Sequence, residues 1–125
     1  MLRLLIVGSG GFLGAALRYI VTAWVHEALD NPWFPYGTLA VNIVGCFVIG
    51  FLAGIAENRA GFSSEARLFV FVGIIGGFTT YSSFAYETFA LARDAQNLSA
   101  AINIGLQLVL GLAAVWIGDM LAHLI

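Results

Sequence analysis

Charge is what this sequence has least of. Only 10% of its 125 residues are charged, lysine is absent, and five arginines against seven carboxylates leave a net charge of −2. Water-facing domains carry about a quarter of their residues charged, so this chain cannot coat a solvated surface. The few charges sit at the ends of apolar stretches and form no basic patch for nucleic acid. The single cysteine, Cys46, excludes an intrachain disulfide and reads as a small packing residue. No Asp, Glu, His or Lys lies deep in an apolar stretch, which excludes a proton relay or substrate counter-ion of the usual transporter kind. Glu87 and Asp119 fall near stretch ends, and His26 and His123 fall at boundaries, where exposure is expected. No nucleophile stands with a base and no metal-ligand cluster occurs, so enzyme chemistry has nothing to work with.

What is present is apolar: 61% hydrophobic residues and a mean hydropathy of +0.96. Four stretches, about Leu4–Val25, Gly37–Ala56, Leu68–Leu91 and Ser99–Leu121, each reach the length of ~20 residues that crosses a bilayer as helix. The reading is an integral membrane protein with one domain over residues 1–125 and no cleavable signal peptide. Asp30, Asn31, Pro32 and Pro35 break the chain between His26 and Tyr36, and a charged turn covers Glu57 to Glu65. Four spans put both termini on one side, with Arg3, Arg59 and Arg67 there and Arg93, joined by the outer Arg18, opposite. That arginine bias is small for a rule that reads Lys/Arg excess, so insertion in both orientations is expected.

Glycines recur four apart at Gly10/Gly14, Gly50/Gly54 and Gly73/Gly77, with Gly111 and Gly118 seven apart. Such faces let helix backbones approach in lipid, and four short spans enclose so little that a homo-oligomer is expected. The opening Gly8-Ser9-Gly10-Gly11-Phe12-Leu13-Gly14 imitates a dinucleotide fingerprint, but its third glycine is one residue late and no βαβ pattern follows. Nucleotide binding is set aside.

The third stretch differs from a plain anchor. Gly73, Gly76 and Gly77 precede Thr79, Thr80, Ser82 and Ser83, with Tyr81 and Phe84 among them. Backbone that leaves regular helix at membrane depth must be buried in protein or line a polar cavity. The string therefore reads either as a helix interrupted at its centre to offer carbonyls and hydroxyls, or as a Gly/Ser packing seam. Arg18 reads as a charge beside an anion-attracting vestibule or as an arginine snorkelling to headgroups. Thr38 and Asn42, and likewise Asn103 and Gln107, are four apart and share helix faces, as pore-lining groups or interhelical hydrogen bonds. This neutral, donor-rich and aromatic interior suits a small ion passed along by hydrogen bonds.

Three strings together carry a family likeness: Gly10-Gly11-Phe12-Leu13-Gly14-Ala15-Ala16-Leu17-Arg18-Tyr19, Gly37-Thr38-Leu39-Ala40-Val41-Asn42-Ile43-Val44-Gly45, and Gly76 through Phe84 with Glu87 beyond. They resemble the Fluc fluoride channels of bacteria and archaea, also called the CrcB family. The resemblance implies an all-α, antiparallel, dual-topology homodimer in the cell (inner) membrane, with two fluoride pores built from both subunits. It implies a structural sodium ion on the two-fold axis, not transported, held by the backbone carbonyls of Gly76 and Thr79. It makes Asn42 a pore amide, Ser82 and Ser83 pore hydroxyls, and Tyr81 and Phe84 the aromatic box. Thr38 would border the ion path, Gln107 would line it from the fourth helix, and Arg18 would sit near a vestibule. Tyr81 departs from the phenylalanine usual in the family. The implied activity is passive fluoride export. A four-span multidrug exporter is the chief rival, but it needs a membrane-embedded carboxylate that the first span lacks. A structural subunit is the other.

Overall fold

The computed structural model of the chain describes residues 1–58 and 62–125, so Arg59 lies outside the described residues. Helix α1 covers Leu2–Ala28 and α2 covers Tyr36–Asn58. The third span, Ser64–Arg93, is assembled from α3 (Ser64–Arg67), a π-helical stretch (Leu68–Ile75), α4 (Gly76–Phe78) and α5 (Tyr81–Arg93). Helix α6 covers Asn97–Ala122. Four helical spans are long and apolar enough to cross a membrane, and the described residues contain no strand. The third span is broken, as expected.

Each span outruns its apolar core by a few residues, because helices continue until a capping or turn residue stops them. Beyond α1, Asp30 and Asn31 take left-handed φ values of 55° and 53°, which short polar side chains tolerate. The Asn31 N–H closes this turn onto the His26 carbonyl at 2.7 Å. At the third span, the Ser63 hydroxyl accepts the Ala66 N–H at 3.1 Å and caps α3.

Glycine spacing sets the packing. The Gly10/Gly14 and Gly73/Gly77 faces meet each other: a Cβ on Gly73 would stand 2.9 Å from Gly10 Cα, and one on Gly77 2.7 Å from the Gly11 carbonyl oxygen. A second seam joins α2 to α6, where Gly54 faces Asp119 and Ala122, and Gly118 faces the backbone of Phe47 and Phe51. In lipid these close approaches replace the hydrophobic drive of a water-soluble core with dispersion contacts. The two seams clamp the third span to α1 and α2 to α6, leaving the break between them.

Candidate functional site at the helix break

The break falls on Thr79 (φ −79°, ψ 156°) and Thr80 (φ −149°, ψ 106°), both extended. The glycines do not make it. Gly76 is helical at φ −62°, ψ −34°, and no described glycine has positive φ. Gly73 and Gly77 serve the α1 seam instead, while β-branched threonine accepts extended backbone readily. The Thr80 hydroxyl accepts the Ser83 N–H at 3.3 Å, which caps α5, and donates to Ser83 Oγ at 2.9 Å. Thr79 Oγ1 returns to the Ile75 carbonyl at 3.1 Å.

Asn42 of α2 staples the break. Its Oδ1 accepts the Thr80 N–H at 2.8 Å, and its Nδ2 donates to the Thr80 carbonyl at 3.2 Å and to Gln107 Oε1 at 3.1 Å. Backbone groups cannot exchange donor for acceptor, so Thr80 fixes which way the Asn42 amide points. Asn42 in turn requires the oxygen of Gln107. The Gln107 Nε2 is therefore left as a buried donor without a partner. The Gln107 side chain borders a cleft of about 320 Å³ also lined by Asn42, Thr79, Thr80, Tyr81 and Phe84. The rings of Tyr81 and Phe84 meet edge to face there, at 5.7 Å and 66°. Tyr81 is 79% exposed and forms the outer rim of the single chain.

A second cleft, of about 480 Å³, lies on the α1 side of Thr80 and is lined by Arg18, Thr22, His26, Thr38, Ser83 and Glu87. The buried Thr38 hydroxyl donates to Glu87 Oε1 at 2.7 Å, and Glu87 Oε2 has no partner. The expected pore residues thus divide. Asn42, Tyr81, Phe84 and Gln107 face one cleft; Thr38, Ser83 and Arg18 face the other; Thr80 borders both. Ser82 lines neither, and its hydroxyl lies 3.5 Å from that of Thr80. Asn103 serves packing: fully buried, it donates to Thr88 Oγ1 at 2.9 Å, and Thr88 donates to the Phe84 carbonyl at 2.7 Å.

The break also frees carbonyls. The Thr80 N–H that would complete a helical turn onto Gly76 goes to Asn42, and the Ser83 N–H that would reach Thr79 goes to the Thr80 hydroxyl. Gly76 and Thr79 thereby keep oxygen lone pairs of the kind hard cations take, and Gly76 is exposed on the single chain. One interruption sets these carbonyls beside the donor-rich start of α5.

Sequence reasoning left out Thr80, Glu87 and His26 as site residues. Thr80 had a readable signal, since a threonine just before a new helical segment is a natural N-cap. His26, expected to be exposed, is half-buried under Gly37 and beside Glu87.

Four spans long and apolar enough to cross a membrane, with hydrogen-bonding groups gathered where the third unwinds, define a multi-pass membrane protein. A family model described as CrcB-like protein, Camphor Resistance (CrcB), matches residues 5–119, and the chain belongs to this family. It is 44% identical over 121 residues to the fluoride-specific ion channel FluC of Clostridium novyi (strain NT), covering 97% of this chain and 94% of that protein. It is 42% identical over 118 residues to FluC of Rhizobium meliloti (strain 1021), covering 94% of each. To FluC 3 of Methanosarcina barkeri it is 38% identical over 122 residues, covering 98% and 91%. The relatives' names describe a family of transport proteins rather than enzymes, and the likeness carried by the three strings holds.

Proposed function

We propose that the chain is a fluoride channel of the cell membrane, exporting fluoride passively as an antiparallel, dual-topology homodimer with two pores. One observation carries the reading: Gln107, fixed in direction through Asn42 by the Thr80 backbone, lines a cleft beside two aromatic rings and keeps its Nε2 as a buried donor without a partner. A small anion stripped of water needs such donors, since leaving its hydrogen bonds unmade costs several kcal/mol. Ring edges are positive and complete the anion's contacts. Neutral donors hold the ion less tightly than a buried cation would, which allows it to leave again. The names of the relatives give the ion as fluoride.

Two chains meeting at the exposed Gly76 would bring four freed carbonyls together, from Gly76 and Thr79 of each. That oxygen set fits a structural sodium ion, which would supply fixed positive charge between the pores. Arg18, Thr38 and Ser83 would then line an approach to the break from the α1 side, with Ser82 beside it.

Liposomes loaded with potassium fluoride test this: on addition of valinomycin, a fluoride electrode should record rapid release, while chloride-loaded vesicles hold their ion. Replacing sodium with N-methylglucamine should slow release and weaken the dimer on size exclusion. Folded protein that releases no fluoride, or releases chloride equally fast, contradicts the proposal.

A further inference from the structure

His26 sits in the last turn of α1, eight residues beyond Arg18 on the face that lines the α1-side cleft. Its ring is held against the backbone of α2. A Cβ on Gly37 would stand 2.7 Å from Thr22 Cγ2, 3.1 Å from His26 Nε2 and 3.3 Å from its Cδ2, so the ring packs closely over this glycine. His26 also lines the adjoining cleft of about 420 Å³, together with Trp33, Phe34, Glu87 and Asp94. It therefore stands where the outer cleft meets the one that leads down to Thr80 and Ser83.

Helix α1 contributes Arg18 and Tyr19 to the shared cleft. Helix α5 contributes Glu87, and Asp94 follows at its end. Helix α2 presents Thr38 and the Gly37 backbone, and the connection presents Pro32, Trp33, Phe34 and Pro35. Glu27 and Asp30, its neighbours in sequence, line neither cleft. In the inner cleft the charge that acts on Glu87 is that of His26, and whichever state Glu87 takes, a proton on His26 adds one positive charge. Histidine is the side chain that changes charge between pH 5 and 8.

We propose that His26 is the titratable charge of this mouth: protonated, it collects anions at the entrance to the break, and neutral, it does not. The inference rests on the fluoride-channel reading and adds to it a residue that sets anion entry. One unit charge acting over about 10 Å in partly aqueous surroundings changes local anion occupancy by about two- to tenfold.

Fluoride efflux from proteoliposomes at pH 5.5, 6.5 and 7.5, with protein-free vesicles subtracted, should speed up by that factor as pH falls. His26→Gln should flatten the profile at the slow level, and His26→Arg should flatten it at the fast level. Independently, in detergent at pH 6.5, sodium fluoride should move the His26 ring resonances towards those of the protonated ring, leaving His123 as the unmoved reference. The inference is overturned if His26→Gln keeps the wild-type pH profile, or if fluoride leaves the His26 ring unchanged. Ring shifts from a protein that releases no fluoride at any pH would support His26 as an anion contact and overturn the conduction reading instead.

Discussion

Replacing Gln107 with leucine removes the buried, unpartnered donor beside the cleft while keeping a side chain of similar length and helix preference. Asn42 loses one acceptor, Gln107 Oε1 at 3.1 Å, but keeps both hydrogen bonds to Thr80, so the break stays stapled. One neutral hydrogen bond contributes about 1 kcal/mol net, and the folded protein should tolerate that loss. The effect on conduction is larger. A hydrogen bond to an ion is worth about 1.5–3 kcal/mol, which at ~1.4 kcal/mol per tenfold predicts efflux slower by about 10- to 150-fold. Gln107→Glu sharpens the test: one oxygen can still accept from Asn42, but the other puts an acceptor, and negative charge when ionised, where the donor stood. That variant should fall below the leucine variant. The valinomycin-driven fluoride assay measures both, with size exclusion and a thermal melt confirming that each is folded. A well-folded Gln107→Leu protein with wild-type efflux would refute the assignment of Nε2 to the anion path.

Two further outcomes follow from the same geometry. Asn42→Asp keeps the acceptor for the Thr80 N–H but sets carboxylate oxygen against the Thr80 carbonyl and Gln107 Oε1. It should abolish fluoride efflux and lower stability by about 1–3 kcal/mol for two lost hydrogen bonds, read from efflux and from a denaturation midpoint. Gly14→Ala drives a methyl into the Ile74 carbonyl and to 2.8 Å from the Phe78 nitrogen. Backbone cannot step aside as a side chain can, so a loss of about 1–3 kcal/mol and a lower melting temperature are expected, whereas Gly8→Ala, with nothing within 4 Å, should melt like wild type.

The spans were legible because apolar runs of membrane length admit few other readings. The seams were legible because glycines four apart have one main use in lipid. Asn42 stood out as an amide in mid-span. What the sequence hid was rotation. In water a helix announces its buried face by amphipathic contrast, but in a membrane both faces are apolar and that contrast fades. Nothing in the string therefore divided Thr38 and Ser83 from Asn42 and Gln107 across Thr80, or turned His26 inward onto Gly37. The string from Gly73 to Phe84 announces the interruption but leaves open which of its residues bend the backbone and which make a close contact. The structure gives the glycines to the contact and the bend to the threonines.

An unwound point in a membrane helix is ordinarily its softest joint. Here both polar groups of Thr80 are held by one side chain of another span, and that span is locked to α6 along its glycine seam. The joint is braced sideways. Stress from a thicker or thinner bilayer should therefore tilt the subunit as a block, while the spacing between Asn42, Thr80 and Gln107 stays nearly constant. Fluoride efflux should then depend little on lipid chain length, even where the tilt of the spans changes.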